Sequence, residues 1–338
     1  MNPFDAVPVG AAKLPVMRLG LGGAPLSGMV LADGLYGGSA HDEAVRIIKR
    51  AYELGIRYFD TAPLYGSGRS EARFRDGLAD VQRESFVIST KIGRVLDPAP
   101  GGSTSTDNPD RLPDLISVNT WTRDNVHRSI EDSLERLGMD RIDIIYVHDP
   151  DQETFGEQQA TDEAFPALIE LREQGIIKAI GCGMNLWEMP ARFVRRFDLD
   201  IILLAGRYTL LDHSALSEFL PLCVERNVKI AVGGPYNSGI LARDLDGPVS
   251  FNYEPAPPAL IERARKLKAI ANHHSVDLKA AALQFVLAHP AVATVIPGAQ
   301  TVGELEQNIS MVKKHIPGGM WRDMRNAGLI PEEAPTPA

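Results

Sequence analysis

Cysteine is almost missing from this sequence, with only Cys182 and Cys223 among 338 residues. Each lies in or beside an apolar segment, so both read as buried structural thiols and offer neither a disulfide framework nor a cysteine metal site. A basic excess is missing too. The formal net charge of −9 is spread along the chain, which argues against a nucleic-acid or anionic-membrane surface. No apolar run approaches the roughly 18 residues of a membrane span, and the opening MNPFDAVPVGAAKLPVM has no basic segment followed by an apolar core. The expectation is a cytoplasmic protein. No two histidines share an HxH or HxxxH spacing, so a metal-dependent barrel hydrolase would have to draw its ligands from Asp60, His148, Asp149 and Asp151. A GxGxxG dinucleotide loop is also lacking, since GLGG at 20–23 and GSG at 66–68 have the wrong spacing.

What is present is a full globular core, with 44% hydrophobic and 23% charged residues. Short, nearly continuous apolar runs recur at 18–23, 57–62, 86–91, 142–148, 177–183, 200–206, 228–234 and 293–298. Continuous rather than alternating runs are what strands buried on both faces require. Between them lie helical patterns at 42–54, 122–138, 162–175, 214–227, 258–274, 277–289 and 302–314, and support for a second helix is weaker. Ser39 and Asp42 resemble a capping box for the first helix, and Gly138 closes the 122–138 helix in the left-handed conformation.

Strand then helix, repeated with one extra helix before the last strand, predicts a single-domain α/β fold of the (β/α)8 TIM-barrel type over residues 1–338. A doubly wound sheet is the structural competitor. Residues 93–117 are dense in Pro, Gly, Ser and Thr, follow directly on a strand end, and are expected to form a long loop covering the active site. The segment 330–338 is expected to be a flexible tail.

Polar residues collect where strands finish: Asp60 after RYF, Tyr65 in the turn that follows, Lys91 ending FVIST, and His148 ending IDIIYV. Each alone has a bland role as a cap, a turn aromatic, a snorkelling lysine or a satisfied core histidine. Jointly they make a proton-transfer device. A phenol ordinarily titrates near 10 and serves near neutrality only if something favours its phenolate. An ammonium about 4 Å away, at an effective dielectric of about 20, supplies roughly 4 kcal/mol before desolvation.

The segments DTAPLYG, STK and VHD, with LGLGGAPLSG and IPGAQTVGELEQN at the two ends, resemble the signatures of the aldo-keto reductases. In that family an Asp, Tyr, Lys and His at the C-terminal mouth of a (β/α)8 barrel move a hydride between a nicotinamide cofactor and a carbonyl or alcohol. The resemblance makes Asp60, Tyr65, Lys91 and His148 that catalytic set. It also places the cofactor's pyrophosphate and adenosine on the last two strand-to-helix connections, at Ser238 and Gly239 of GGPYNSGIL and at Gly298, Gln300 and Thr301, with Asn308 on the adenine. Backbone N–H groups of such turns and helix starts receive phosphate oxygens well.

Departures from the family pattern carry information. GCGMN stands where GVSN is common, making Asn185 the candidate for the nicotinamide amide. Gly233 stands where an aromatic often stacks on nicotinamide, leaving Tyr236 or Tyr208 as substitutes. No Lys or Arg follows IPGAQT until Lys313, and because a 2′-phosphate usually needs one, NAD is expected in preference to NADP. LGGAPL, GRSE and LAGRYTLLD resemble the sugar-oxidising branch, which implies oxidation of an aldose at its anomeric carbon to a lactone with Tyr65 as general base. An NADPH-dependent carbonyl or aldehyde reductase and a pyridoxal dehydrogenase are the alternatives on this fold. The implied partner is a small sugar or aldehyde, with no nucleic acid, membrane or metal.

Overall fold

The structure, a computed structural model, describes residues 1–29 and 38–337. Eight parallel strands, each hydrogen-bonded to its successor, form the sheet: β1 (Leu21–Gly22), β2 (Tyr58–Asp60), β3 (Val87–Ile92), β4 (Ile144–His148), β5 (Ala179–Met184), β6 (Ile201–Ala205), β7 (Lys229–Gly233) and β8 (Val292–Ile296). The ends meet. Val295 N donates to Arg18 O and Gly20 N donates to Val295 O, both at 3.0 Å, and Leu19 pairs in parallel with Val295. The strand runs read from sequence are therefore the staves of a (β/α)8 barrel, and the doubly wound alternative falls.

The pleat sorts the strands' apolar side chains into two clusters. Tyr58, Val87, Ile144, Tyr146, Ala179, Ile201, Leu203 and Ala231 fill the barrel interior. Their sequence neighbours Phe59, Ile88, Ile145, Val147, Ile180, Ile202, Leu204 and Ile230 pack outward under the helices. An antiparallel hairpin of Ala6–Val9 with Leu14–Met17, not anticipated from sequence, sends Val9 and Val16 into the interior cluster.

Most helices fall where the periodicity puts them, and Gly138 closes Arg123–Leu137 with φ 60°. The weakly supported second helix spans Arg69–Gly77. Several expectations need correction. The first helix starts at His41 with Ala40 at its N-cap and no side-chain cap, so the Ser39 and Asp42 capping box does not form. His41 instead turns its Nδ1 to Asp110 Oδ1 at 2.8 Å. The 93–117 segment is not loop throughout: Arg94–Pro98 pairs antiparallel with Leu115–Asn119. The supposed flexible tail packs, because Ile330 and Ala334 are buried and the Arg325 guanidinium donates to Ala334 O and Thr336 Oγ1. Helices Glu188–Arg196 and Gly318–Asn326 went unread.

One buried ion pair ties the helix after β2 to its neighbours. Glu71, 0% exposed, accepts from Thr90 Oγ1 and from Arg136 Nε, each at 2.7 Å. Thr90 adjoins Lys91, and Arg136 lies on the Arg123–Leu137 helix, so one carboxylate joins three elements. Replacing Glu71 by Ala strands a buried guanidinium and should cost about 3–5 kcal/mol, read as a lowered midpoint in urea denaturation at unchanged slope.

Candidate active site

Asp60, Tyr65, Lys91 and His148 converge at the C-terminal end of the barrel. Parallel register does this: Asp60 stands opposite Ser89, Lys91 opposite Tyr146, and His148 opposite Gly183. Lys91, 1% exposed, donates to Asp60 Oδ1 at 3.0 Å, Asp60 Oδ2 at 2.8 Å and Thr61 O at 2.7 Å. All its donors point at oxygen. Its Nζ also lies 4.7 Å from the centroid of the Tyr65 ring, close enough for its charge to act on that ring through space. The Tyr65 and His148 rings meet edge to face, with centroids 6.0 Å apart.

A polar chain that sequence reading missed lies below. Ser89 Oγ donates to Asp60 Oδ1 at 2.7 Å and contacts Tyr58 Oη at 3.1 Å, which in turn contacts Tyr146 Oη at 3.1 Å. Its signal was the period of two along the strands, which turns Tyr58 to the same side as Asp60 and Tyr146 to the same side as His148.

His148 is buried against charge. Burial first, then the cations Lys91 and Arg94, hold its imidazole well below the ordinary histidine range. Its carbonyl accepts from Trp121 Nε1 at 3.1 Å. Trp121 in turn requires Gly93, where φ is 107° and a Cβ would lie 2.1 Å from Trp121 Nε1. The turn at Gly93 thus supports the back of the site through Trp121.

Tyr65, Lys91, His148, Asp149, Gly183, Met184 and Asn185 line a cavity of about 370 Å³, completed by Met29, Leu64, Leu203, Ala205 and Tyr253. A second cavity of about 270 Å³ runs past the ends of β7 and β8, lined by Gly234, Tyr236, Ser238, Gly239, Gly298, Gln300 and Asn308, among others. Tyr253 borders both. It sits in a tight hairpin of Ser250–Phe251 with Glu254–Pro255, whose two turn residues, Asn252 and Tyr253, have φ of 51° and 68°. Such a turn favours asparagine, a signal that could have marked the hairpin.

Residues 18–327 match the aldo/keto reductase family. The chain belongs to that family. It is 40% identical to a D-threo-aldose 1-dehydrogenase of a Pseudomonas species, over 95% of this chain and 97% of that one. It is 37% identical to a pyridoxal 4-dehydrogenase of Microbacterium luteolum, over the same shares. Among solved structures, the holo form of an aldo-keto reductase from Bacillus halodurans superposes with a TM-score of 0.74 at 24% identity, covering 96% of each chain. This aldo-keto reductase is an oxidoreductase, and the family works with nicotinamide cofactors.

The cleft fits such a cofactor. Gly298 has no room for a Cβ, which would meet Pro25 Cγ at 2.3 Å. At Gly234, φ is 55° and a Cβ would find its nearest neighbour only at 3.9 Å, so backbone there faces open cleft. Tyr236 Oη donates to Asn308 Oδ1 at 2.8 Å. Three sequence assignments change. Tyr208 is 0% exposed and packs on Phe285 and His289 in the core, away from both cavities. Thr301 caps the Val302–Lys313 helix by accepting from Glu304 N at 3.1 Å and does not line the cleft. The cleft is also not free of cations, because Arg243 and Lys279 line it, brought in by segments distant from IPGAQT.

Among the described residues no group of three or more His, Cys, Asp or Glu is placed to hold a metal ion. Asp60, one of the ligands a barrel hydrolase would need, has both carboxylate oxygens on Lys91. Since His148 is held neutral by burial and two cations, its ring ¹⁵N signals in NMR should keep the widely split pattern of a neutral imidazole as pH is lowered through 6.5, the value from which it is displaced. A protonation step there would contradict the electrostatics described.

Proposed function

We propose that this aldo-keto reductase is an NAD-dependent dehydrogenase that oxidises an aldose at its anomeric carbon. The observation that carries the reading is the meeting of Tyr65, Lys91 and His148 on a cavity that Tyr253 joins to the cofactor cleft. The similarity to a D-threo-aldose 1-dehydrogenase across nearly both chains supplies the substrate class.

Asn185 would hold the nicotinamide amide, the turn from Gly234 to Gly239 and the segment around Gly298 and Gln300 the phosphates, and Tyr236 and Asn308 the adenosine end. When bound, the nicotinamide supplies the hydride acceptor. The chain does the proton work. Tyr65 would take the proton of the anomeric hydroxyl as the anomeric C–H bond gives up its hydride to the acceptor and the C–O bond to that hydroxyl oxygen becomes double, so that the sugar leaves as a lactone. Lys91 would favour the phenolate by its charge, which hydrogen bonds to Asp60 and Thr61 hold in place. Asp60 keeps that ammonium charged and fixed. His148, uncharged, offers a neutral hydrogen bond to the reacting oxygen and does not compete for the proton.

NAD is favoured by Gln300 at the end of the last strand segment and by the Glu304 carboxylate on the cleft wall, which repels a 2′-phosphate. Lys279 is engaged with Gln307 Oε1 at 2.7 Å, which weakens its claim on such a phosphate. A second reading, pyridoxal oxidation, draws on the Microbacterium relative and on the apolar side chains Met29, Leu64, Met184 and Leu203 of the substrate cavity. A cytoplasmic setting suits two buried free thiols, with Cys223 pushed by burial up to about 12.

Aldoses and pyridoxal, assayed with each cofactor by absorbance of the reduced nicotinamide, decide between the readings. We expect kcat/KM with NAD to exceed that with NADP by about tenfold or more, the effect of about 1.4 kcal/mol; a strong NADP preference overturns the cofactor assignment. Tyr65→Phe should lower kcat by a factor of about 10²–10⁴ while leaving cofactor affinity in place. Undiminished turnover would remove Tyr65 from the chemistry.

A further inference from the structure

The residue after His148 has no part in the proton device, yet the backbone bends to present it there. Asp149 has φ 40° and ψ 55°, a left-handed conformation that costs a non-glycine residue energy and that Asp tolerates better than most. Its backbone N–H donates to Gly183 O at 3.1 Å, holding the turn against β5. Its side chain lines the substrate cavity with Tyr65, Lys91 and His148, and its Oδ2 lies 3.4 Å from His148 Nε2. The side chain keeps 15% of its surface exposed.

The rest of the cavity makes this carboxylate conspicuous. Met29, Leu64, Met184, Leu203 and Ala205 are apolar, and Asn185 is assigned to the nicotinamide amide. A sugar brings a row of hydroxyl groups that must find partners when they leave water. An ionised carboxylate accepts several hydrogen bonds and is a strong partner for neighbouring hydroxyls. If Tyr65 and His148 hold the oxygen on the reacting carbon, the oxygen on the next carbon lies about one hydrogen-bond length further along the wall, toward Asp149.

Resting on the aldose reading above, we propose that Asp149 is a specificity-determining residue that accepts a hydrogen bond from the hydroxyl on the carbon next to the reacting centre. It thereby selects hydroxylated substrates over simple alcohols and aldehydes.

The electrostatics give the site a second signature. Burial and the neighbouring Asp151 push the Asp149 carboxyl up to about 7, against the opposing pull of Arg94 from the hairpin and Lys91 from β3. Of the other titratable neighbours, His148 is held neutral through this range, burial keeps the Cys182 thiol protonated, and Tyr65 lines the same wall. Asp149 therefore gains its charge as pH rises through neutrality, and hydroxyl recognition should strengthen in the same direction.

A substrate–mutant cycle tests the assignment. Initial rates of the intact enzyme are measured with an aldose and with its 2-deoxy counterpart, using wild type, Asp149→Asn and Asp149→Ala. Wild type should favour the aldose by about tenfold or more in kcat/KM, mostly through KM, as expected for a charge-assisted hydrogen bond. Both variants should shrink that preference to threefold or less, a factor attached to the loss of the bond, and should flatten the fall of aldose KM as pH rises through about 7. A preference that survives in both variants overturns the assignment and reduces Asp149 to a positioning neighbour of His148. If wild type oxidises neither sugar but turns over pyridoxal or reduces aldehydes, the aldose reading fails first and the hydroxyl partner with it. Cofactor binding, measured by fluorescence of the reduced nicotinamide, shows that the variants are folded.

Discussion

The buried pair of Lys91 and Asp60 is the constraint around which the mouth of this barrel is arranged. An ammonium that is 1% exposed survives only if its desolvation is repaid by geometry, and here each of its donors meets an oxygen of Asp60 or Thr61. The carboxylate is in turn fixed by Ser89, which contacts Tyr58, which contacts Tyr146. None of these groups can turn without stranding another. The charge that acts on Tyr65 is consequently held in place by the floor of the barrel. The same Lys91 charge, with Arg94, keeps His148 neutral. One cation thus biases two neighbouring rings in the same direction, favouring the deprotonated phenol and the unprotonated imidazole.

Legibility in the sequence followed the range of the interaction. Strands buried on both faces announce themselves as apolar runs, and each of the eight runs contributes a barrel strand. Asp60, Lys91 and His148 were readable because they sit at strand ends, which a barrel gathers at one mouth. The His41 start of the first helix was not readable: its side chain is engaged by Asp110, 69 residues away, which moved the helix start off the expected cap. Tyr208 misled because it follows a strand as a site residue would, whereas tertiary packing draws it under Phe285 and His289. Arg243 and Lys279 escaped notice for the converse reason, since proximity to the last strand was judged along the chain and the cleft is built across it.

The segment expected to be a covering loop has a more specific place. Gly93 makes the turn that admits Trp121, and Trp121 holds the carbonyl of His148. The turn that opens the hairpin Arg94–Pro98 with Leu115–Asn119 is therefore linked to the back of His148 through that indole. Arg94, on the same hairpin, is 5% exposed and lends its charge to both His148 and Asp149. Its Nε and Nη1 have no hydrogen-bond partner among the described residues. The hairpin thus acts on the site by charge and by packing at once.

The interior of the mouth is divided into two unlike halves, and the division suits hydride chemistry. The strands β2 to β4 turn Asp60, Lys91 and His148 inward, all three buried and polar. On the other side, Gly183 stands one residue before the end of β5, Ala205 and Gly233 end β6 and β7, and a Cβ on Gly233 would already reach within 3.2 Å of Leu203. Small residues there leave a flat, uncharged wall opposite the ionised one. Carbons that exchange a hydride must approach each other without water between them, and Gly233 adds no side chain to that wall. Tyr253, carried on the hairpin of Ser250–Phe251 with Glu254–Pro255, borders both cavities. The barrel mouth thus sets its buried polar side chains on one side and its smallest side chains on the other, so that whatever enters between them meets charge on one face and little but backbone on the other.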